Sequence, residues 1–189
     1  MIDETIPGPS EIAELRYLEK LVTEIPASSE IVEVGTFLGR AAYVLAATRP
    51  DCNLTVIDPF DCNVGEWLRG PTIRGEVSRY SGQSQFDTFK QFMNGHENVR
   101  VCVGKSPLPR WMLSSPNLVF IDAAHNYDAI AADIAYWSTI ATSPTALCGH
   151  DYCDEFSDVK QAVNEFANRN NLGVHVEPGT TIWKFFHAA

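Results

Sequence analysis

No run of apolar residues approaches the roughly 20 that a membrane-spanning helix requires, and the opening MIDETIPGPSE lacks the basic-then-apolar layout of a secretory signal. These two absences predict a protein of the cytoplasm that does not enter a membrane. Basic residues are scarce: 14 Lys and Arg stand against 24 Asp and Glu, a formal net charge of -10. Nucleic-acid binders need a basic surface to displace counterions, so a nucleic-acid partner is disfavoured and a small-molecule substrate expected. The five cysteines Cys52, Cys62, Cys102, Cys148 and Cys153 form no CxxC pair. An odd set without that spacing suits reduced, mostly buried thiols better than a disulfide framework or a zinc site. Internal repeats and low-complexity tracts are also missing, and 189 residues with 45% hydrophobic content suffice for one core.

What is present is an alternation of short β-branched runs with longer helical patterns, which implies a parallel sheet flanked by helices. A helix is expected from an N-cap at Ser10, with Ile12, Leu15, Leu18, Val22 and Ile25 on one face. Strands follow at Glu30 to Val34, Leu54 to Ile57, Val99 to Val103, Leu118 to Ile121 and Thr145 to Cys148. Between them lie helices at Arg40 to Thr48, around Phe86 to Met93, at Ala129 to Ile140 and at Asp158 to Arg169, with a short element near Trp111. The stretches Gly173 to Val176 and Thr181 to Phe186 flank Glu177, Pro178 and Gly179 and read as a closing antiparallel hairpin. The expected architecture is one α/β domain over residues 1–189: a Rossmann-like, mostly parallel seven-stranded sheet with helices on both faces.

Ligands of open α/β sheets bind beyond the carboxyl ends of the strands, where strand order reverses. The segment EVGTFLG places Gly35 and Gly39 four residues apart, which allows a tight turn and close approach of backbone to ligand. The dinucleotide fingerprint needs a further glycine where a pyrophosphate passes, and Phe37 stands there. This disfavours NAD and favours a cofactor without phosphate, such as S-adenosylmethionine (SAM). Asp58 ends the second strand 23 residues after Gly35, near the spacing at which an acid accepts ribose hydroxyls.

With EVGTFLGRAA, VIDPF, FIDAAHNYDAIAADIAYW and GHDYCDEFSDVKQAVNEF in that order, the chain resembles class I SAM methyltransferases related to sugar and macrolide O-methyltransferases, over roughly Glu30 to Phe166. The resemblance implies that the loop containing Glu33, Gly35, Thr36, Phe37 and Gly39 holds the methionine part of SAM, and that Asp58 holds its ribose. It also puts the Gly104 to Ser106 turn near the adenine; Lys105 stands where an acid is common, so the adenine contacts stay unassigned. The resemblance further aligns Asp122 and Asp151 with two magnesium ligands of catechol-type enzymes, while Tyr152 replaces the third, an asparagine.

Asp122, His125, His150 and Asp151 end neighbouring strands and are expected to converge. Two carboxylates there suit Mg²⁺, with Asp122 also facing the cofactor. His125, or its competitor His150, is the expected base for a substrate hydroxyl. The bland alternative for His125 is a cap of the following helix. The segment Asp61 to Gly82 carries Trp67, Arg69, Arg74, Arg79 and Tyr80 and is expected to be a lid or substrate loop, or else a solvated loop or a contact in a homo-oligomer. The expected activity is O-methylation of a small-molecule hydroxyl, magnesium-assisted in one version. The competing expectations are a non-catalytic SAM-binding protein, a hydroxylase-like relative with iron bound by these carboxylates and His125, and a NAD-dependent oxidoreductase.

Overall fold

The structure, a computed structural model, describes residues 2–62, 83–107 and 115–188. Trp67, Arg69, Arg74, Arg79, Tyr80 and the element expected near Trp111 lie outside the described residues. The elements run α1 (Ile12–Thr23), β1 (Glu30–Val34), α2 (Arg40–Thr48), β2 (Asn53–Asp58), α3 (Gln85–Phe92), β3 (Val99–Val103), β4 (Leu118–Ile121), α4 (Tyr127–Ile140), β5 (Leu147–Gly149), α5 (Ser157–Arg169), β6 (Leu172–Val176) and β7 (Trp183–His187).

Alternation along the central strands explains why they read as continuous apolar runs. In β4, Leu118 and Phe120 join a core under α1 and α2, while Val119 and Ile121 join a second core under α4 and α5. Successive side chains of a strand point to opposite faces, so a strand covered on both sides has no polar face. Ile31 and Val32 of β1 divide in the same way. Leu15, Leu18 and Leu45 seal the first core, and Ile134, Trp137 and Val163 the second; each is fully buried, and each such side chain contributes roughly 1.5–3 kcal/mol relative to exposure.

Seven strands pair in the order β3-β2-β1-β4-β5-β7-β6. The first five are parallel, and β7 inserts antiparallel between β5 and β6. The chain winds outward from β1 to β2 and β3, then returns to place β4 on the other side of β1. The switch point therefore lies between the carboxyl ends of β1 and β4.

Three local expectations are corrected. The N-cap of α1 is Glu11 rather than Ser10, because Glu14 reaches back to accept the Glu11 N–H at 2.8 Å, and Ile25 falls beyond the last turn. Strand β5 starts later than expected, since Pro144–Ala146 form a 3-10 turn whose Thr145 N–H is taken by the Ser143 side chain. The helix after β4 is capped by Asn126, which accepts from the Ala129 N–H at 3.1 Å, so His125 is not its cap.

Candidate functional site

A cleft of about 760 Å³ opens over the switch point, and its wall includes Gly35, Asp58, Asp122 and His150. Backbone bonds continue past the strands and fix its floor. The Gly35 N–H donates to Ile57 O at 2.8 Å, Asp122 N–H to Val34 O at 2.8 Å, and His150 N–H to Ile121 O at 3.0 Å.

The glycine loop is held from below. Gly35, Phe37 and Gly39 all have positive φ, at 81°, 52° and 93°. For a bulky residue such as phenylalanine that backbone is a genuine outlier, and surrounding bonds must hold it. Asp58 supplies them: Oδ2 accepts the Thr36 and Phe37 N–H groups at 2.9 and 3.3 Å, while Oδ1 accepts Phe60 N–H at 2.7 Å and Gln85 Nε2 at 3.2 Å. The same Gln85 amide donates to Phe37 O at 2.9 Å. Asp58 thus clamps the loop and has most of its lone pairs engaged, a role that strand-end position alone did not reveal. Gly35 also differs from expectation: a Cβ there would meet the Asp122 carbonyl and Ala123 Cα, so glycine is demanded by the β1–β4 backbone approach before any ligand is considered.

Glu33, on β1 beneath this loop, is fully enclosed, and neither carboxylate oxygen makes a well-formed hydrogen bond. Burial raises its pKa well above the ordinary carboxylate range; Thr36 and the Ala42 backbone offset this only in part, and Asp122 and Asp58 add repulsion.

The acid–histidine group converges as expected. His125 Nε2 lies 2.8 Å from Asp151 Oδ2, and His150 Nδ1 lies 3.0 Å from Asp151 Oδ1 and 3.8 Å from Asp122 Oδ1. Asp151 adopts φ 63°, which turns its carboxylate between the two rings. One ligand atom each from Asp122, His125 and Asp151 can be chosen so that all lie within 4.8 Å of one another. Tyr152 takes no part, because its hydroxyl donates to Asn164 Oδ1 on α5 at 2.8 Å. The two histidines differ in access: the His125 side chain is 35% exposed against 8% for His150. Hydrogen bonding to Asp151 raises the His125 pKa. Burial opposes a charge on His150, yet Asp122, Asp151 and Glu14 outweigh it and raise its pKa to about 11. Desolvation lifts Asp122 to about 6, His150 pulling the other way and Asp151 adding to the rise.

Glu14 is the site residue that the sequence reading missed. Its Oε2 stands 2.9 Å from His150 Nε2, out of line for a well-formed hydrogen bond but close enough for an ion pair. Its Oε1 accepts the Thr181 N–H and hydroxyl, each at 3.0 Å, tying α1 to the chain just before β7. Burial resists its ionisation, but His150 and these donors prevail and lower its pKa. The signal was available: Glu14 falls on the buried face with Leu18, an acid in an otherwise apolar stripe. Asp133, on the buried face of α4 between Ile130 and Trp137, carries the same signal.

A doubly flanked, mostly parallel sheet ending in an antiparallel hairpin, with a glycine loop at its switch point, defines the Rossmann-like class I methyltransferase fold. Residues 32–152 match the family model of a methyltransferase domain, and the chain belongs to that family of SAM-dependent enzymes. Among curated proteins none matches this sequence. Similar solved structures include the precorrin-6y C5,15-methyltransferase of Geobacter metallireducens, 12% identical with TM-score 0.64, covering 100% of this chain and 94% of that one. The O-methyltransferase of Bacillus cereus in complex with SAH is 13% identical with TM-score 0.63, covering 93% and 81%. A protein of Clostridium thermocellum assigned as an rRNA-methylase is 8% identical with TM-score 0.61, covering 90% and 96%. At such identities these likenesses speak to the fold alone. Among the described residues no helix is long and apolar enough to cross a membrane.

Proposed function

We propose that the protein transfers the methyl group of SAM to a hydroxyl of a small-molecule acceptor, with His125 as the base. The observation that carries this reading is the His125–Asp151 pair at the rim of the cleft, beside Asp122 at the switch point. When bound, SAM supplies a methyl group already activated by its sulfonium. The residues present fit such a cofactor: Gly35, Thr36 and Phe37 line the cleft, and the Glu33 carboxylate, which makes no well-formed hydrogen bond, offers an acceptor beneath them. Glu33, Thr36 and the loop backbone would hold the methionine end, and Asp58 would position that loop and border the ribose. What remains for the protein is alignment of the acceptor and removal of one proton. His125 has the better access for that proton, and Asp151 orients its ring and stabilises the imidazolium that forms. His150, wedged between Glu14 and Asp151, would hold Asp151 in place.

Asp122, His125 and Asp151 also suit a divalent cation, since one ligand atom from each of two hard carboxylates and an imidazole can be grouped within 4.8 Å and, among the described residues, the positive groups acting on Asp122 are the two histidines. A cation held there would acidify a coordinated acceptor hydroxyl.

Thermal unfolding tests the cofactor before any acceptor is known. S-adenosylhomocysteine at 100 times its dissociation constant should raise the midpoint by roughly 5–10 °C, and NAD should not. A shift with NAD alone would overturn the reading. Added Mg²⁺ raising the midpoint in wild type but not in Asp122→Asn would support the cation site. In an acceptor screen, His125→Ala should slow transfer by about 10²–10⁴-fold while S-adenosylhomocysteine affinity stays within about twofold; a variant as fast as wild type removes His125 from the mechanism.

A further inference from the structure

Along β6 and β7, Val174, Val176, Trp183 and Phe185 turn into the core under α5, so His175, Lys184 and Phe186 stand on the opposite face of the sheet. The flank of α1 meets them there, with the rings of Tyr17 and His175 6.4 Å apart. Between helix and hairpin lies a cavity of about 350 Å³ that shares no wall residue with the cleft. Small-molecule sites run from roughly 300 to 1,000 Å³, so it has room for one or two rings. Its walls are aromatic and basic. Phe186 is 47% exposed and pairs across the strands with Gly173, where a Cβ would run into its ring. Tyr17 is buried, yet its hydroxyl makes no hydrogen bond among the described residues and is not sealed off. Burial chiefly, with Glu177, Cys148 and Glu24 adding, raises its pKa to about 12, so the hydroxyl stays a donor. Lys20 Nζ lies 5.6 Å from the centre of the Tyr17 ring and, among the described residues, has no carboxylate close enough for an ion pair. Lys184 Nζ is 3.9 Å from Glu24 Oε2, the outer limit of such a pair, while Glu177 is taken by His175 at 3.2 Å. In a chain with 24 acids against 14 basic residues, two lysines so poorly matched beside one cavity call for an anion.

We propose that this cavity binds a small aromatic carboxylate, its ring against Tyr17 and Phe186 and its carboxylate at Lys20 and Lys184. Aromatic walls favour a flat apolar body, and two ammonium groups with a phenolic donor favour an anion at its edge. A bare inorganic anion would leave the rings wet. A second copy of the chain fits less well, because Phe186 and Val103 are the large apolar side chains exposed among the described residues and lie toward opposite edges of the sheet. A stable dimer buries about 800 Å² on each partner, which one exposed ring does not supply. With no wall in common, this site stands or falls apart from the cofactor reading of the cleft.

The test is titration calorimetry of the full chain at neutral pH with 2-naphthoate and with its neutral counterpart 2-naphthamide. Wild type should bind the acid about five- to thirtyfold more tightly than the amide. Lys20→Gln and Lys184→Gln, which leave the core intact, should each weaken the acid about three- to tenfold and change the amide by less than about twofold. Phe186→Ala should weaken both compounds alike. Absence of binding to wild type overturns the assignment, as does equal affinity for acid and amide or an acid affinity unchanged in both lysine variants. Loss of acid binding in Lys105→Gln, with Lys20→Gln unaffected, would put the probe in the cleft and overturn it equally. Sedimentation run alongside covers the remaining occupant: a dimer that Phe186→Ala dissociates, in a protein that binds no naphthoate, would give the cavity to a second copy and overturn the proposal.

Discussion

Glu33 is an acid whose local environment works against its charge. It is fully enclosed, lacks a well-formed hydrogen bond and faces Asp122 and Asp58 across the cleft floor. Because its folded pKa lies above the ordinary 4.5, the native state binds its proton more tightly than the unfolded chain does. The stability it contributes is whole below about pH 4.5 and is lost as pH rises through the raised folded value. Glu33→Gln should therefore be more stable than cofactor-free wild type, by about 1–3 kcal/mol once pH exceeds that value, and the advantage should vanish near pH 4. Urea unfolding across pH 4 to 9 checks this, and an advantage independent of pH would mean that packing rather than charge is responsible. The same variant should bind S-adenosylhomocysteine less tightly, the trade of stability for function common at binding sites. The family resemblance made Glu33 a candidate as part of a motif; its lack of a well-formed hydrogen bond was invisible, because it depends on what α2 and β4 bring against it.

At the scale of elements, helix α1 was expected only to pack. Its apolar face does so, but Glu14 makes it part of the site by joining His150 on the β5 end and Thr181 before β7. Three segments distant in sequence thus share one buried carboxylate. Glu14→Ala removes the acceptor for two Thr181 donors and strands the His150 charge, so a loss of about 3–5 kcal/mol is expected. A midpoint that falls by less than about 3 °C would show that water replaces the carboxylate. Gly149 makes the complementary point on β5. A Cβ there would meet Ile121 O at 2.5 Å and the Trp183 ring at 2.6 Å, so Gly149→Ala should lower soluble yield and midpoint by forcing β4 and β7 apart from β5. The elements themselves were legible, β4 to the residue, because two-sided burial writes itself as an unbroken apolar run. Their ends were less so: the cap of α1 and the 3-10 turn before β5 were each decided by a single side-chain hydrogen bond.

For the molecule as a whole, the cleft is closed on one side by the residues preceding α1. Arg40, on α2, is 5% exposed and reaches across to Ser10 O at 3.1 Å and to Ile6 O, holding that segment against the rim. Arg40→Met keeps much of the packing and removes these bonds. Limited proteolysis should then cut before Ile12 faster than in wild type, while bound S-adenosylhomocysteine still protects the rest. Equal cutting would mean that Ile6, fully buried on its own account, suffices to hold the segment. Lone polar residues of this kind say little in a sequence, since an arginine at a helix start is unremarkable until the carbonyls it serves are known.

The sequence by itself determined the class of fold and the succession of most strands and helices along the chain, because hydrophobic periodicity and turn-residue spacing are local properties that survive without coordinates. It also placed Asp122, His125, His150 and Asp151 in one group, since adjacent parallel strands must deliver their ends to the same edge. Only the tertiary structure decided which histidine is open and which is locked, that Asp58 spends its oxygens on the glycine loop, and that Glu14 and Asp133 belong to the cleft. Those outcomes turn on contacts of about 3 Å between residues tens of positions apart, and burial and hydrogen-bond partners are properties of that packing rather than of any stretch of chain.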